Sequence, residues 1–264
     1  MENQVDIGII GGSGVYDAEF LKNSEEITLE SKYGSPADSY LVGEYLGKQV
    51  AFLPRHGKDH ALAPHQVNYR ANIDGFRQLG VRRIIAAQAV GSLKEEYKPG
   101  DLAFTDQFID RTLGRDSTFF DEGKVAHVSM AEPMCQSLRE ILIKGAQKLE
   151  LAHHEKATYV CIEGPRFSTR AESELFKSWN ADLIGMTLVP ESVLAKEASI
   201  CYAPVSMVTD YDCWKEGHVV SHEEVISVME QNVGKIKKLL SEVIAKIPDE
   251  RSAECENAME GATA

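Results

Sequence analysis

Two carboxylates spaced i, i+2, Asp210 and Asp212, follow a strand-like run carrying Ile200, Tyr202, Val205, Met207 and Val208. In extended backbone such a pair points to one side, so both carboxylates can face a single ligand; the same spacing also suits a capped, solvated turn. A second set lies in Pro54-Arg55-His56-Gly57. A guanidinium beside an imidazole at a strand end can grip an oxyanion, or simply lie on the surface. A third set is Gly11-Gly12-Ser13-Gly14 after the apolar run 5–10, which offers backbone N–H groups and a hydroxyl to an anion. It fits no dinucleotide, P-loop or nucleophile-elbow fingerprint: Asp17 stands where a third glycine would be, no Gly-Lys-Ser/Thr follows, and Val15 replaces the closing glycine. His56, His60 and His65 cluster in sequence, but no carboxylate or thiol completes a metal set, and Pro64 breaks any helix that would align them. His222-Glu223 begins a zinc-peptidase pattern that Ile226 ends.

These groups need strand ends and loops to hold them, and the chain supplies both. Apolar or alternating runs predict strands over 5–10, 39–46, 49–53, 83–90, 102–108, 157–162, 182–186 and from Ser199. Helical spacing with stop and cap signals predicts helices over 66–79 and 134–149, from Arg170 after a Thr169 cap, and from Pro190 to Ala198. Ser221 and Glu224 stand at capping-box spacing before a last helix with an apolar face. The polar stretch 110–130 is long for a structureless connection, which points to function or an interface. The result is α/β.

With 264 residues, 43% hydrophobic and 26% charged, the chain reads as one soluble domain, 1–248, followed by a small, polar and structureless tail, 249–264. A net charge of −13 argues against nucleic acid and anionic membrane as partners. Five cysteines without a C-x-x-C pair, and no leader pattern, read as thiols in a reducing cytoplasm.

Several loops then agree. The chain resembles the trimeric purine nucleoside phosphorylase and methylthioadenosine phosphorylase family in Gly11-Gly12-Ser13-Gly14, Pro54-Arg55-His56-Gly57, Asn68-Tyr69-x-Ala71-Asn72-Ile73, Gly91-Ser92-Leu93, Pro99-Gly100-Asp101, Glu163-Gly164-Pro165-Arg166-Phe167, Gly185-Met186-Thr187, Val189-Pro190-Glu191 and Thr209-Asp210-Tyr211-Asp212-Cys213-Trp214. The resemblance implies a single α/β domain with a mixed central sheet flanked by helices, acting as a homotrimer or a dimer of trimers. It implies reversible phosphorolysis of purine nucleosides, with inorganic phosphate as co-substrate and no metal or organic cofactor. By resemblance Ser13, Arg55, His56, Gln88, Ala89 and Thr187 hold phosphate, Met186 lies against the ribose, Phe167 flanks the base, and His60 lines the sugar side.

Asp210 would protonate the purine at N7, with Asp212 beside it; burial at a strand end and a second carboxylate both raise an Asp pKa in the required direction. Asp212 can accept from the exocyclic amine of an adenine, and Ser168 with Asp210 differs from the Glu and Asn of the 6-oxopurine branch. Tyr211 belongs to the same motif. At the 5′ end, His222 stands where the methylthioadenosine branch has an aliphatic residue, and His127 resembles a residue lent by a neighbouring subunit. Gln88 departs from the phosphate-binding threonine common in that branch. The favoured substrates are 5′-methylthioadenosine and adenosine; an inosine, guanosine or methylthioinosine phosphorylase, a nucleoside hydrolase and a non-enzymatic nucleoside-binding protein are the competing readings.

Overall fold

The computed structural model describes residues 5–12, 21–216, 222–251 and 253–263, without the side chains of 222–226. The proposed helix cap at Ser221 and Glu224 therefore lies outside the described residues, as do Ser13 and the His222 side chain.

The run expected as a central strand is β5 (Arg83–Ser92), the hub of an 11-stranded mixed sheet. On one edge β5 pairs in parallel with β1 (Ile7–Gly11) and then antiparallel with β10 (Leu183–Gly185); along the other it pairs in parallel with β11 (Cys201–Asp210). Beyond β1 the sheet continues through β4 (Lys48–Pro54) and β3 (Tyr40–Tyr45) to β2 (Lys22–Ile27). The β3–β4 hairpin turns at Leu46 and Gly47, both at positive φ (51 and 82°), a conformation that Gly47 adopts without strain.

The expected strand 102–108 is instead two. β6 (Leu102–Ala103) pairs with β11 and with β8 (His153–His154), and β7 (Gln107–Arg111) pairs with β9 (Thr158–Ile162), which continues to β10. An apolar run shows that a segment is buried but not that it changes neighbours midway.

Alternation along the strands builds two cores. Ile10, Ile84, Ala86, Tyr202 and Val208 face the side covered by α1 (Tyr69–Gln78) and α4 (Leu188–Glu197). Ile7, Ile9, Ile85, Ala87, Ala203, Val205 and Met207 face α2 (Gln136–Lys148) and α5 (His222–Val243). A smaller cluster with Val160 and Ile184 lies under α3 (Arg170–Ser178). The Thr169 cap is a full capping box with Glu172, and Asn68 caps α1 by accepting from the Ala71 backbone N–H. α4 is buried on nearly all faces, which explains why periodicity reveals so little of it.

The tail is a correction. Where composition predicted no structure from Asp249, the chain forms α6 (Ala253–Glu256), and Thr263 pairs with Ala126. Arg251 donates to the Ser199 carbonyl (2.6 Å) and Arg83 to the Glu250 carbonyl. Each bond joins the tail to a distant part of the sequence, Ser199 or Arg83, so a local reading of the tail misses them.

Candidate active site

β1 accompanies β5 as far as the Ile10–Ala86 pair, and β10 joins it only at Gly91. Between the two, Ala87, Gln88, Ala89 and Val90 open onto a cavity of about 780 Å³, within the range of small-molecule sites. The gap lies where the strand's neighbour changes direction, the place at which α/β sheets bind ligands. Met229 and Val233 of α5 form an apolar wall, and Glu230 and Lys237 also line the cavity.

The structure brings most of the expected residues to this cavity: Arg55, His56, His60, Gln88, Ala89, Phe167, Ser168, Met186, Thr187, Asp210 and Asp212. Two are placed elsewhere. Asp210 and Asp212 face the cavity, whereas Tyr211 between them turns toward the Glu95 carbonyl (3.4 Å) and stacks edge-on with Trp214. His127 is exposed, and its backbone N–H donates to the Ala262 carbonyl (2.8 Å).

At one end, β4 delivers Arg55 into a buried pair with Glu191 of α4. Nε and Nη2 donate to the two carboxylate oxygens (2.7 and 2.8 Å), Nη1 donates to the Ala87 carbonyl (2.9 Å), and Tyr202 Oη also donates to Glu191 (2.7 Å). Burial opposes the guanidinium charge, but Glu191 more than offsets it, so Arg55 stays protonated. Three of its five N–H bonds are used, leaving two for a ligand. The neighbouring imidazole is neutral: burial, then the charges of Arg55 and His60, lower His56 to about 4. Its Nδ1 lies 2.9 Å from the Leu62 carbonyl, which can only accept, so Nδ1 carries the proton and Nε2 the lone pair.

Gln88, the departure noted in the sequence, bridges three elements. Its Oε1 accepts from Thr187 Oγ1 (3.1 Å), and its Nε2 donates to Ser206 Oγ (3.3 Å), which in turn meets Thr105 Oγ1 (3.0 Å). It positions Thr187 as well as lining the cavity.

At the other end, Asp210 is 5% and Asp212 3% exposed. Asp210 Oδ2 accepts from Thr209 Oγ1 and its Oδ1 from the Asp212 backbone N–H, both at 2.8 Å. Gly91 is needed here, because a Cβ on it would stand 3.0 Å from Asp210 Oδ1 and 3.1 Å from Ile184. Burial raises the Asp212 carboxyl above its ordinary value, partly countered by Ser173 and by the Cys213 backbone and thiol. Asp212 Oδ2 and Ser168 Oγ are buried without a hydrogen-bond partner, two polar atoms suited to the edge of a heterocycle.

Sequence reasoning missed Arg115. Its side chain, 3% exposed, reaches from the 110–130 stretch to tie two loops of the cavity together. Nη1 donates to the Met186 and Val189 carbonyls (2.8 and 2.7 Å), Nη2 to the Glu163 carbonyl (2.6 Å), and Nε to the Glu163 carboxylate (3.1 Å). The one signal was the unusual length of that polar connection. Gly164, between these loops, has φ 70° and no room for a side chain, since a Cβ would lie 2.6 Å from Met186 Sδ.

A model of the phosphorylase superfamily matches residues 6–245. S-methyl-5′-thioadenosine phosphorylase of Thermofilum pendens is 55% identical over 259 residues, 98% of each chain. Among solved structures, a methylthioadenosine phosphorylase from an antarctic soil metagenomic library superposes with a TM-score of 0.94 at 46% identity, covering 100% of this chain and 93% of the other. Methylthioadenosine phosphorylase from Schistosoma mansoni, in complex with adenine, gives 0.91 at 37% identity, covering 97% and 96%. Matched in sequence and fold over almost its whole length, the chain belongs to the phosphorylase superfamily.

Proposed function

We propose that this protein catalyses the reversible phosphorolysis of 6-aminopurine nucleosides, taking 5′-methylthioadenosine and adenosine with phosphate to adenine and the corresponding pentose 1-phosphate. The observation that carries this reading is the buried, unpartnered Asp212 Oδ2 beside Asp210 in the cavity, an acceptor matched to the exocyclic amine of adenine. The names of the similar proteins agree with it.

As the glycosidic bond breaks, the sugar gains oxocarbenium character and the purine gains negative charge. Phosphate beneath the sugar answers the first, and a proton or hydrogen bond from Asp210 at N7 answers the second. Arg55 offers its two remaining N–H bonds to phosphate, together with His56, Thr187, the Ala89 backbone and the Ser13 loop. Phe167 and Ser168 flank the base, and Met186 and His60 the sugar. No step of this reaction calls for a metal or an organic cofactor.

Met229 and Val233 supply an apolar wall that suits a methylthio group. Position 222 stands seven residues before Met229, about two helical turns, and so falls on the same face of α5. We assign His222 to the 5′ end, where an imidazole suits a hydroxyl. His127, which is exposed and does not line its own cavity, is assigned to the 5′ pocket of a neighbouring subunit in a homotrimer. The catalytic domain is taken as 1–248 and the compartment as the cytoplasm, in keeping with the thiol usage.

The test is kcat/KM for 5′-methylthioadenosine, adenosine and inosine, with and without phosphate, repeated for His222→Val. Both 6-aminopurine substrates should turn over only with phosphate, with inosine more than about a hundredfold behind. The variant should move preference toward the methylthio compound by about 5- to 150-fold. Inosine as the best substrate, or turnover in phosphate-free buffer, overturns the reading.

His56 makes phosphate binding pH-dependent. With Nδ1–H committed to Leu62, Nε2 meets a phosphate oxygen favourably only if a proton lies between them, carried in by monoanionic phosphate or taken up by the imidazole. Free His56 is neutral above about 4. Phosphate carries its second proton below a pKa of roughly 6 to 7, so that proton becomes costly only above this range. The KM for phosphate should therefore be flat on the acid side and rise by up to about tenfold per pH unit above pH ~7.5. His56→Asn, whose amide donates without titrating, should flatten the rise; an unchanged slope in that variant would show that His56 is not its source.

A further inference from the structure

The cysteines take no part in the proposed reaction, yet three of them converge. Cys135 stands at the start of α2, Cys201 opens β11 and Cys255 lies in α6. Their Sγ atoms all lie within 4.8 Å of one another, with Cys135 and Cys201 buried and Cys255 half-buried. A disulfide would join two of these sulfurs and leave the third aside; a shared central atom uses all three. An ion about 2.3 Å from each sulfur requires sulfur separations of roughly 4 Å, so this triangle closes on one with little movement.

The surroundings favour thiolates. Arg83 is close enough to interact with both Cys135 and Cys201, and Lys196 lines a small cavity beside all but Cys201, together with Glu254 as the opposing charge. Cys135 also occupies the N-terminal end of a 13-residue helix, where backbone N–H groups stabilise negative charge. The three thiols would lose their protons as an ion enters.

We propose that Cys135, Cys201 and Cys255 bind one thiophilic d10 cation that fastens the C-terminal tail to the body of the protein. Two sources share this chemistry: Cu(I), which accepts three sulfurs alone, and Zn(II), which would add a solvent molecule as fourth ligand. The ion would join α6 to α2 and β11. From there the tail runs to Thr263, which pairs with Ala126, so the anchor also steadies the segment holding His127. The site stands about the tail and owes nothing to the proposed reaction.

The fully reduced chain is titrated anaerobically with Zn(II) and separately with Cu(I), followed by native mass spectrometry and alkylation mapping. One ion per chain should bind, and it should protect Cys135, Cys201 and Cys255 from alkylation while leaving Cys213 as reactive as before. Cys255→Ser should weaken binding by about a hundredfold or more, whereas Cys213→Ser should leave the stoichiometry unchanged. X-ray absorption separates the two sources, with three sulfurs alone for Cu(I) and three sulfurs plus one oxygen for Zn(II). Failure to retain either ion, unprotected thiols in the wild-type chain, or binding that survives Cys255→Ser at full strength overturns the proposal. So does a disulfide between two of the three that persists under the reducing conditions.

Discussion

Asp210→Ala is expected to lower kcat for adenosine and 5′-methylthioadenosine by about a hundred- to ten-thousandfold, with the KM for phosphate little changed. The proposed reaction leaves negative charge on the purine, and Asp210 is the carboxyl at the end of β11 aimed at that charge. A loss of three decades corresponds to about 4 kcal/mol of transition-state stabilisation. Asp210→Asn separates two versions of the role. Its amide keeps an acceptor for the Asp212 backbone N–H, at 2.8 Å from Asp210 now, and can donate a hydrogen bond to N7, but it cannot transfer a proton. If hydrogen bonding alone is required, the Asn variant should recover much of what Ala loses; if a proton is transferred, both should fall alike. Full activity in Asp210→Ala would remove this residue from the mechanism. A parallel rise in the phosphate KM would show damage to the cavity as a whole.

The second large effect belongs to a residue that touches no substrate in the proposed mechanism. Glu191→Ala is expected to destabilise the protein by about 3–5 kcal/mol, because it leaves the buried Arg55 guanidinium without its counter-charge. For a chain of this size that is a fall in Tm of roughly 6–20 °C. Arg55 is 2% and Glu191 0% exposed, so water cannot substitute for the lost carboxylate. The double variant Arg55→Met, Glu191→Leu removes both charges together and should recover most of the stability while binding phosphate poorly. Thermal denaturation and phosphate KM, measured on the single and double variants, separate the two roles. A double variant no more stable than Glu191→Ala would mean that packing around Tyr202, and not the unpaired charge, sets the cost.

The pair also shows how far the sequence could be read. Pro54-Arg55-His56-Gly57 marked an anion grip because a guanidinium and an imidazole adjoin a strand end. Nothing local in Val189-Pro190-Glu191 announced that its carboxylate would be the partner of that guanidinium, 136 residues away. Gln88 is similar: by resemblance it replaces a threonine in the phosphate site, but its bonds to Thr187 and Ser206 depend on how β5, β11 and the β10–α4 loop meet. Arg115 was hidden in an irregular stretch because most of its partners are backbone carbonyls, and every residue type provides those. The tail was misread for the same reason.

Local chemistry, by contrast, was legible. The run 83–90 reads as a central strand because it is continuously apolar and feeds a Gly-Ser loop, and Thr169 reads as a helix start because its hydroxyl can accept from a first-turn backbone N–H. Asp210 and Asp212 do share the cavity, but not by extended spacing: β11 ends at Asp210, and the turn through Tyr211 (φ −101°, ψ 20°) and Asp212 (φ 50°) brings the second carboxylate round while Tyr211 points away. What the amino-acid order determined by itself was therefore the α/β class and most of the elements, while the resemblance its loops carry named the side chains expected at a phosphorolysis site. Only the tertiary structure decided which of those side chains share a cavity, that Arg55 enters it already paired, that His56 presents a lone pair, and that three thiols meet at the tail. These depend on neighbours brought together by folding, and pairing, burial and proton position follow from the neighbours a group acquires.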